Sequence, residues 1–479
     1  VLTSSAASDV YKRQGYGTAK KETLTGAVEQ VKSEKFEDLA VTSPVLALQG
    51  ATPGLVVTRT SSRPGSEGIS VQIRGASSVN GISPLIVIDG VPALSTASFY
   101  DMNPDDVESV SVLKGGSASV YGSRAAGGVI LVTTKKGKGD LKVELGTVLR
   151  VGTIGIRPPT PTMQQYADIY LEAASQDSNP NYFFWNDEAL NLMSSGYEGI
   201  YELGGVLGTL HLSNANRFDE MYGDSVSAQH NLSVSGGTDK SSYRVAAGYD
   251  QNVGALTTAY DGTEKYNFRV NHSYDLSDRL TLNTNISYFH KHFSGPSGGV
   301  GSTAITYDAP LFAAQNPYGQ WYGNFGGVGG GKNSVANTVD GGRINNKTEQ
   351  FNITLAANYA ITDELSFTGS FAMSRDLKNY QKYVLNVPTY DWFGNKANSS
   401  INTTPYIYEQ QATGTYKNYK GAFNYKKSVG DHNFAGLLAI EAELKTSKNL
   451  EARRNGFEDY GVYDLNLGDT DLDVTTKGG

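Results

Sequence analysis

Side chains able to do chemistry are few in this sequence, and they are scattered. Of six histidines (His211, His230, His272, His290, His292 and His432), only His290 and His292 stand close together. Two residues apart, they share one face of a strand and could offer two positions to a metal ion. No carboxylate cluster accompanies them, so an ordinary strand end accounts for them better. Gly326–Lys332, followed by Asn333, nearly spells the phosphate-cradling G-x-x-x-x-G-K, but the hydroxyl that would hold Mg²⁺ is missing and no buried strand leads into it. No catalytic constellation stands out. The chain is therefore expected to be no enzyme, with no cofactor and no metal site.

Better candidates are aromatic residues set among Asn and Asp in polar connections: Trp185, Trp321, Tyr322, Trp392, Phe393, Tyr406 and Tyr408. Flat rings beside amides and carboxylates suit the apolar faces and hydroxyl rims of sugars, and suit peptides equally. Trp185, Trp321, Tyr322, Trp392 and Tyr406 are the candidate ligand contacts; the structural alternative is that they stiffen loops or pack against a partner.

The elements that must carry these residues read as strands. Leu141, Val143, Leu145, Leu149 and Val151 alternate with Lys142, Glu144 and Arg150, the period of a half-buried strand. The pattern returns at Tyr243–Tyr249, Tyr266–Leu276, Leu280–Tyr288 and Phe351–Ile361, and again near 364–374, 415–427 and 432–444. The polar faces carry Asn, Thr and Ser more than Lys or Glu. A helix is expected near Met163–Ser175, and one or two short ones over Ser33–Leu48, broken at Ser43-Pro44.

The turns at Gly236–Ser241, Ser277–Arg279, Thr362–Glu364 and Ser428–Asp431 are short, whereas the connections 153–228, 251–264, 291–349 and 375–414 are long. Short and long alternate strictly, as in an up-and-down barrel whose long loops gather at one end. About nine strands of 9–12 residues are expected, each long enough to cross a bilayer when tilted.

Composition agrees. In 479 residues there are 55 Gly, 30 Tyr and no Cys, with a mean hydropathy of −0.35. A barrel with a polar interior, a narrow apolar band and interfacial tyrosines has this mix. No run of ~20 apolar residues is present that could span as a helix. A net charge of −8 with the signs interspersed does not support nucleic-acid binding.

Before the alternating strands lies a different region. GISVQIRG (68–75), PLIVIDGVP (84–92), DDVESVSVLKG (105–115) and SVYGSRAAGGVILVTTKKG (119–137) hold strand-length, β-branched runs bounded by Gly, Pro or Asp. They describe a small mixed domain. Its glycines Gly75, Gly90, Gly115, Gly122, Gly127 and Gly128 stand where strands end or turn. Arg74, Asp89, Asp106, Glu108, Lys114 and Arg124 are charges at strand ends: either ordinary solvated charges or, if the domain sits inside a polar barrel, charges that the wall must pair.

In order and spacing, these motifs resemble the plug domain of TonB-dependent outer-membrane receptors. With GYGTAKK at 15–21 and LQGATPG at 48–54, the chain is most similar to the SusC/RagA family of nutrient importers. The resemblance implies an α+β plug domain followed by a mostly antiparallel transmembrane β-barrel, incomplete here at roughly the first nine strands. Residues 1–14 then read as a tail foreign to the fold, 15–32 as a lead-in near the TonB-contacting segment, 33–137 as the plug and 138–479 as the beginning of the barrel.

The plug signature would comprise Arg74, Gly75, Asp89, Gly90, Lys114, Tyr121, Gly122, Arg124, Gly127 and Gly128. Also implied are energy coupling by TonB, a SusD-like surface lipoprotein as partner, contact with outer-membrane lipid, and location in the outer membrane of a Gram-negative bacterium. The cargo would be an oligosaccharide or, in a RagA-type importer, a peptide. A passive porin or adhesive barrel is the rival reading, and the plug motifs speak against it. A soluble sugar- or nucleotide-processing enzyme would need a buried parallel sheet, which the polar alternation does not provide.

Overall fold

The structure, a computed structural model, describes residues 11–14, 17–20, 28–34, 43–73, 75, 83–157, 159–176, 185–204, 208–298, 300, 310–323, 333–402, 404–430, 432–456, 463–467 and 475–478. Arg74, the Gly326–Lys332 segment and Gly15, Tyr16 and Lys21 of the GYGTAKK motif lie outside them.

The first body is a five-stranded mixed sheet in the spatial order β1-β6-β7-β4-β5, made from β1 (Val28–Lys32), β4 (Leu85–Ile88), β5 (Val91–Pro92), β6 (Val107–Leu113) and β7 (Val129–Thr134). The hairpin β2 (Leu55–Arg59) and β3 (Ile69–Ile73) packs with it. Only the β4–β7 pair is parallel. Because β6 and β7 are buried on both faces, they read as continuous β-branched runs rather than alternating ones. One core holds Val45, Leu48, Phe99, Val110, Val112 and Ile130; a smaller one holds Val87, Leu113, Ala118 and Leu131. Gly128 is required where the chain enters β7: its φ is +88°, and a Cβ there would stand 2.7 Å from Ile73 Cδ1. In the range Ser33–Leu48, the helix among the described residues is Pro44–Ala47.

The second body is a continuous antiparallel sheet: β8 (Lys142–Gly152), β9 (Ser225–Gly237), β10 (Ser241–Val253), β11 (Gly262–Ser277), β12 (Leu280–Pro296), β13 (Gly342–Ala360), β14 (Leu365–Val384), β15 (Tyr406–Val429) and β16 (His432–Asn455), with the short β17 (Thr475–Gly478) last. Each long strand pairs only with its sequence neighbours, the up-and-down order expected. The strands run longer than the alternation implied, reaching 24 residues in β15 and β16. They extend into the connections given above as 251–264, 291–349 and 375–414. Beyond the apolar band both faces meet polar surroundings, so the period-two signal fades while the backbone ladder continues.

Side-chain direction follows the pleat. Leu145, Val226, Val245, Phe268, Tyr274 and Leu355 point outward and are exposed, while their neighbours Arg244, Lys265, Arg269 and Asn271 point inward and are buried. This is the inside-out arrangement of a barrel wall.

The long connections are not featureless. Helices α1 (Met163–Gln176), where the helical pattern lies, and α2 (Asp187–Ser194) pack with a hairpin, Gly199–Gly204 and Gly208–Leu212, and with residues 310–323. Together they close a core of their own on Met163, Met193, Leu210, Phe312 and Tyr322.

Candidate functional site

The first body is held against the inner face of the sheet by buried polar contacts. The segment Asn103-Pro104-Asp105-Asp106 supplies the centre. Asn103 caps a single 3₁₀ turn by accepting from the Asp105 backbone N–H at 3.1 Å, and Pro104 occupies the first position, where no donor is needed. That turn directs Asp106 outward to the wall. Its carboxylate accepts from Arg244 Nη1 at 2.7 Å and from Arg269 Nε at 3.3 Å, and all three side chains are at most 8% exposed. Asn103 also donates to Asn231 Oδ1 at 2.7 Å, and Asn231 donates to Asp105. One short turn thus engages three consecutive wall strands, β9, β10 and β11.

Asp101 makes a second seat. Its Oδ1 lies 2.9 Å from Lys291 Nζ and 3.2 Å from Lys265 Nζ. Burial pushes this carboxyl upward, but the two ammonium groups outweigh it and leave its pKa below the ordinary carboxylate value. Arg63, in the β2–β3 loop, donates from Nε to both oxygens of Asp261 at 3.0 and 2.9 Å.

Asp89 stands at the turn between β4 and β5. It accepts from the Thr134 backbone N–H at 3.0 Å, from Thr134 Oγ1 at 2.6 Å and from Asn285 Nδ2 of the wall at 2.7 Å.

The other signature residues are distributed unevenly. Arg124 reaches Glu443 of β16 at 2.7 Å, with both partners substantially solvated. Lys114 stays inside the first body, 2.9 Å from Glu29 and donating to the Pro53 carbonyl, so its charge is not paired with the wall. Glu108 is exposed and borders a cavity. Tyr121 packs against the smaller core, Gly122 (φ +72°) breaks the 3₁₀ run 115–125, Gly127 is buried, and Gly75 has φ +83° after β3. Asp101, Asn103 and Arg63 were not singled out in the sequence. The signal available for Asn103 was Asn-Pro-Asp-Asp, a capped-turn pattern directly before an apolar strand.

The loop aromatics divide by burial. Tyr322 is fully buried and Trp185 is 5% exposed. Tyr322 meets Phe312 edge-on at 6.2 Å and Trp392 edge-on at 5.3 Å, and its hydroxyl accepts from the His211 backbone N–H at 2.9 Å. Burial pushes the Tyr322 hydroxyl up to about 12, and burial lowers the pKa of His211, whose ring stacks on Trp392 at 3.6 Å. Trp185 and Tyr322 therefore build the loop core and present no free face to a ligand. Trp321 donates from Nε1 to Asp340 at 2.5 Å, and Tyr406 carries the Arg453 guanidinium 3.9 Å above its ring. His290 and His292 lie on the outward face of β12, with Glu349 3.5 Å from His290. Among the described residues no group of three or more His, Cys, Asp or Glu converges.

Between the first body and the wall lie cavities. One of about 610 Å³ is bounded by Leu94, Ser98 and Met102 on one side and by Phe289, Gln350 and Asn352 on the other. Its polar lining is mostly amide and hydroxyl, with Phe289 as an inward ring, and it lies on the long-loop side.

A mixed sheet seated on the inner face of an outward-apolar antiparallel sheet is the arrangement of plug on barrel wall, and residues 20–129 match the family model of the TonB-dependent receptor plug domain. Over nearly its whole length the chain is similar to SusC-like TonB-dependent receptors. It is 27% identical to the TonB-dependent receptor SusC of Bacteroides thetaiotaomicron over 489 aligned residues, 94% of this chain and 43% of that protein. It is 26% identical to the TonB-dependent receptor P26 of Formosa agariphila, over 95% of this chain and 43% of that one. The SusC-like chain thus spans less than half the length of these curated relatives. In fold it resembles the RagAB peptide importer in its closed-closed state, with a TM-score of 0.76 at 21% identity over 95% of this chain and 52% of that one. The ferric citrate transporter FecA is more distant, at a TM-score of 0.52 and 12% identity, over 90% of this chain and 49% of that one.

Proposed function

We propose that this SusC-like chain is the plugged-barrel part of a TonB-driven importer in the outer membrane of a Gram-negative bacterium, working beneath a SusD-like lipoprotein and carrying an oligosaccharide. The observation that carries this reading is the buried Asp106–Arg244–Arg269 contact. A passive pore has no use for a separate domain fixed in its lumen by charges taken out of water, whereas a gated one needs a plug that stays closed until pulled. In this reading the long-loop end faces outward and the 610 Å³ cavity receives the cargo.

Neutral amides and hydroxyls, including Asn285, Ser287, Gln350 and Asn352, suit an array of sugar hydroxyls, and Phe289 offers one flat apolar face. Peptide is the second reading, favoured by the likeness in fold to a protein described as a peptide importer. The test is uptake of fluorescent oligosaccharides and of peptides by cells carrying the full-length gene, with and without TonB. TonB-dependent oligosaccharide uptake is expected. Uptake that persists without TonB would overturn the active-import reading, and uptake of peptides alone would overturn the cargo.

A further inference from the structure

One residue borders all three of the larger cavities between plug and wall. The cavity at the short-turn end, about 680 Å³, is lined by Val87, Asp89 and Gly90, with Leu365, Ser366 and Lys420 of the wall. The 610 Å³ cavity on the long-loop side is lined by Ile88, Asp89 and Val91. A third, of about 360 Å³, lies beside Asp89, Asn285 and Thr354. Asp89 is the residue common to the three linings.

The local structure explains why this point is both closed and easily opened. Ile88 pairs with Val91, so Asp89-Gly90 is a two-residue hairpin turn, with φ of 49° and 87°. Positive φ at both positions is the tight turn that Asp-Gly favours. The hairpin ends on β5, an edge strand of two residues whose Pro92 has no N–H to give. Two of the three bonds to the Asp89 carboxylate stay within the plug, at Thr134; the third, from Asn285, crosses to the wall where the cavities meet. The ion pairs of Asp101 and Asp106, by contrast, hold the plug through β10, β11 and β12.

We infer that the passage for cargo runs along the β4–β5 edge of the plug, past the Asp89–Gly90 turn, and that the Asp89–Asn285 hydrogen bond is the latch that closes it. This rests on the importer reading for its cargo, but not for its geometry. Moving the turn joins the cavities and breaks one plug–wall hydrogen bond, the two bonds to Thr134, the Asp89 N–H bond to the Val132 carbonyl and a two-residue ladder. The charged seat at Asp101 and Asp106 remains in place.

The test uses the full-length protein with introduced cysteines, in a background whose own 479 residues here contain none. Oxidised D89C/N285C fixes the latch, while oxidised N103C/N231C ties plug to wall at the seat, where those side chains now touch. The first disulfide is expected to lower uptake about ten-fold relative to its own reduced form, because it removes nearly all of the open population; the second is expected to give the same uptake oxidised as reduced. Equal block by both would mean that the plug moves as a whole, and no block by the first would place the passage elsewhere; either result overturns the inference.

A second measurement needs no uptake. A membrane-impermeant thiol reagent added outside should label S366C, in the short-turn cavity, several-fold faster when Asn285→Ala is also present, in protein whose heat-modifiable migration shows it folded. Unchanged labelling overturns the latch. Faster labelling in a protein without TonB-dependent uptake would leave the latch standing and remove the importer reading.

Discussion

Two arcs of the same wall treat the plug differently. Strands β9 to β12 reach it with Asn231, Arg244, Lys265, Arg269, Asn271, Asn285 and Lys291, which meet Asn103, Asp106, Asp101, Thr134 and Asp89. Strands β13 to β16 reach it through Gln350 to Ser98 and through Glu443 and Tyr416 to Arg124. Their inward amides and hydroxyls bond to neighbours in the wall instead, as Asn352 does to Ser287 and Asn418 to Glu441. The alternation of residue types is alike on both arcs, but the partners are not. A plug hung from one side can stay seated while its free edge moves, and the larger cavities have walls on that free side.

The comparison can be broken most directly at the seat. Asp106→Ala leaves Arg244 and Arg269 buried without their counter-charge, a change that typically costs about 3–5 kcal/mol. Faster proteolysis of residues 83–134 and a lowered unfolding midpoint are expected; unaltered protection would mean that the plug does not depend on this arc.

A charge on the outward face acts on the wall alone. Leu145→Arg, at a residue 78% exposed in the band, should cost up to about 2–4 kcal/mol, read as loss of heat-resistant folded protein in lipid.

In the loop domain, Tyr322→Phe removes the acceptor for the buried His211 N–H at a cost of about 1–3 kcal/mol. Hydrogen exchange should quicken over 199–212 and stay unchanged in the plug.

Asp101 gives a pH test of the first arc. Its folded pKa is lowered, so its stabilising contribution is complete above the ordinary value of 3.8 and is lost as the pH falls through the lower folded value. Plug protection should therefore weaken in acid below about pH 4, and Asp101→Asn should flatten that limb while lowering protection at neutral pH. The smallest effect is expected on the second arc. Arg124→Ala breaks a pair whose side chains are 46% and 29% exposed, worth about 0–1 kcal/mol, so plug protection should barely change.

Much of this architecture was legible before any coordinates. Leu141 to Val151 announced a two-faced strand, and the alternation of short turns with long connections gave the order in which strands pair. The mixed character of the first domain followed from its strand-length β-branched runs. The strands' true lengths did not follow, because residues such as Lys378 to Lys382 have no apolar alternation and are held in the sheet by the ladders to β13 and β15. Nor did the loop core: Trp185, Tyr322 and Trp392 come from three separate connections, and an aromatic in a polar loop reads the same whether it faces solvent or another loop. Asp89 was marked as a charge at a strand end, but not as the residue that touches Asn285, nearly two hundred positions away.

The sequence by itself determined which face of each strand would be apolar, where turns must be tight, and that a compact β-rich domain precedes a long run of alternating strands. Those properties depend on residue type and local spacing, which the pleat and backbone sterics translate directly into structure. Tertiary structure alone decided which inward side chain meets which plug residue. A one-residue slip in the register of a single strand would point Arg244 away from Asp106, and that register is set by the whole ladder rather than by either segment.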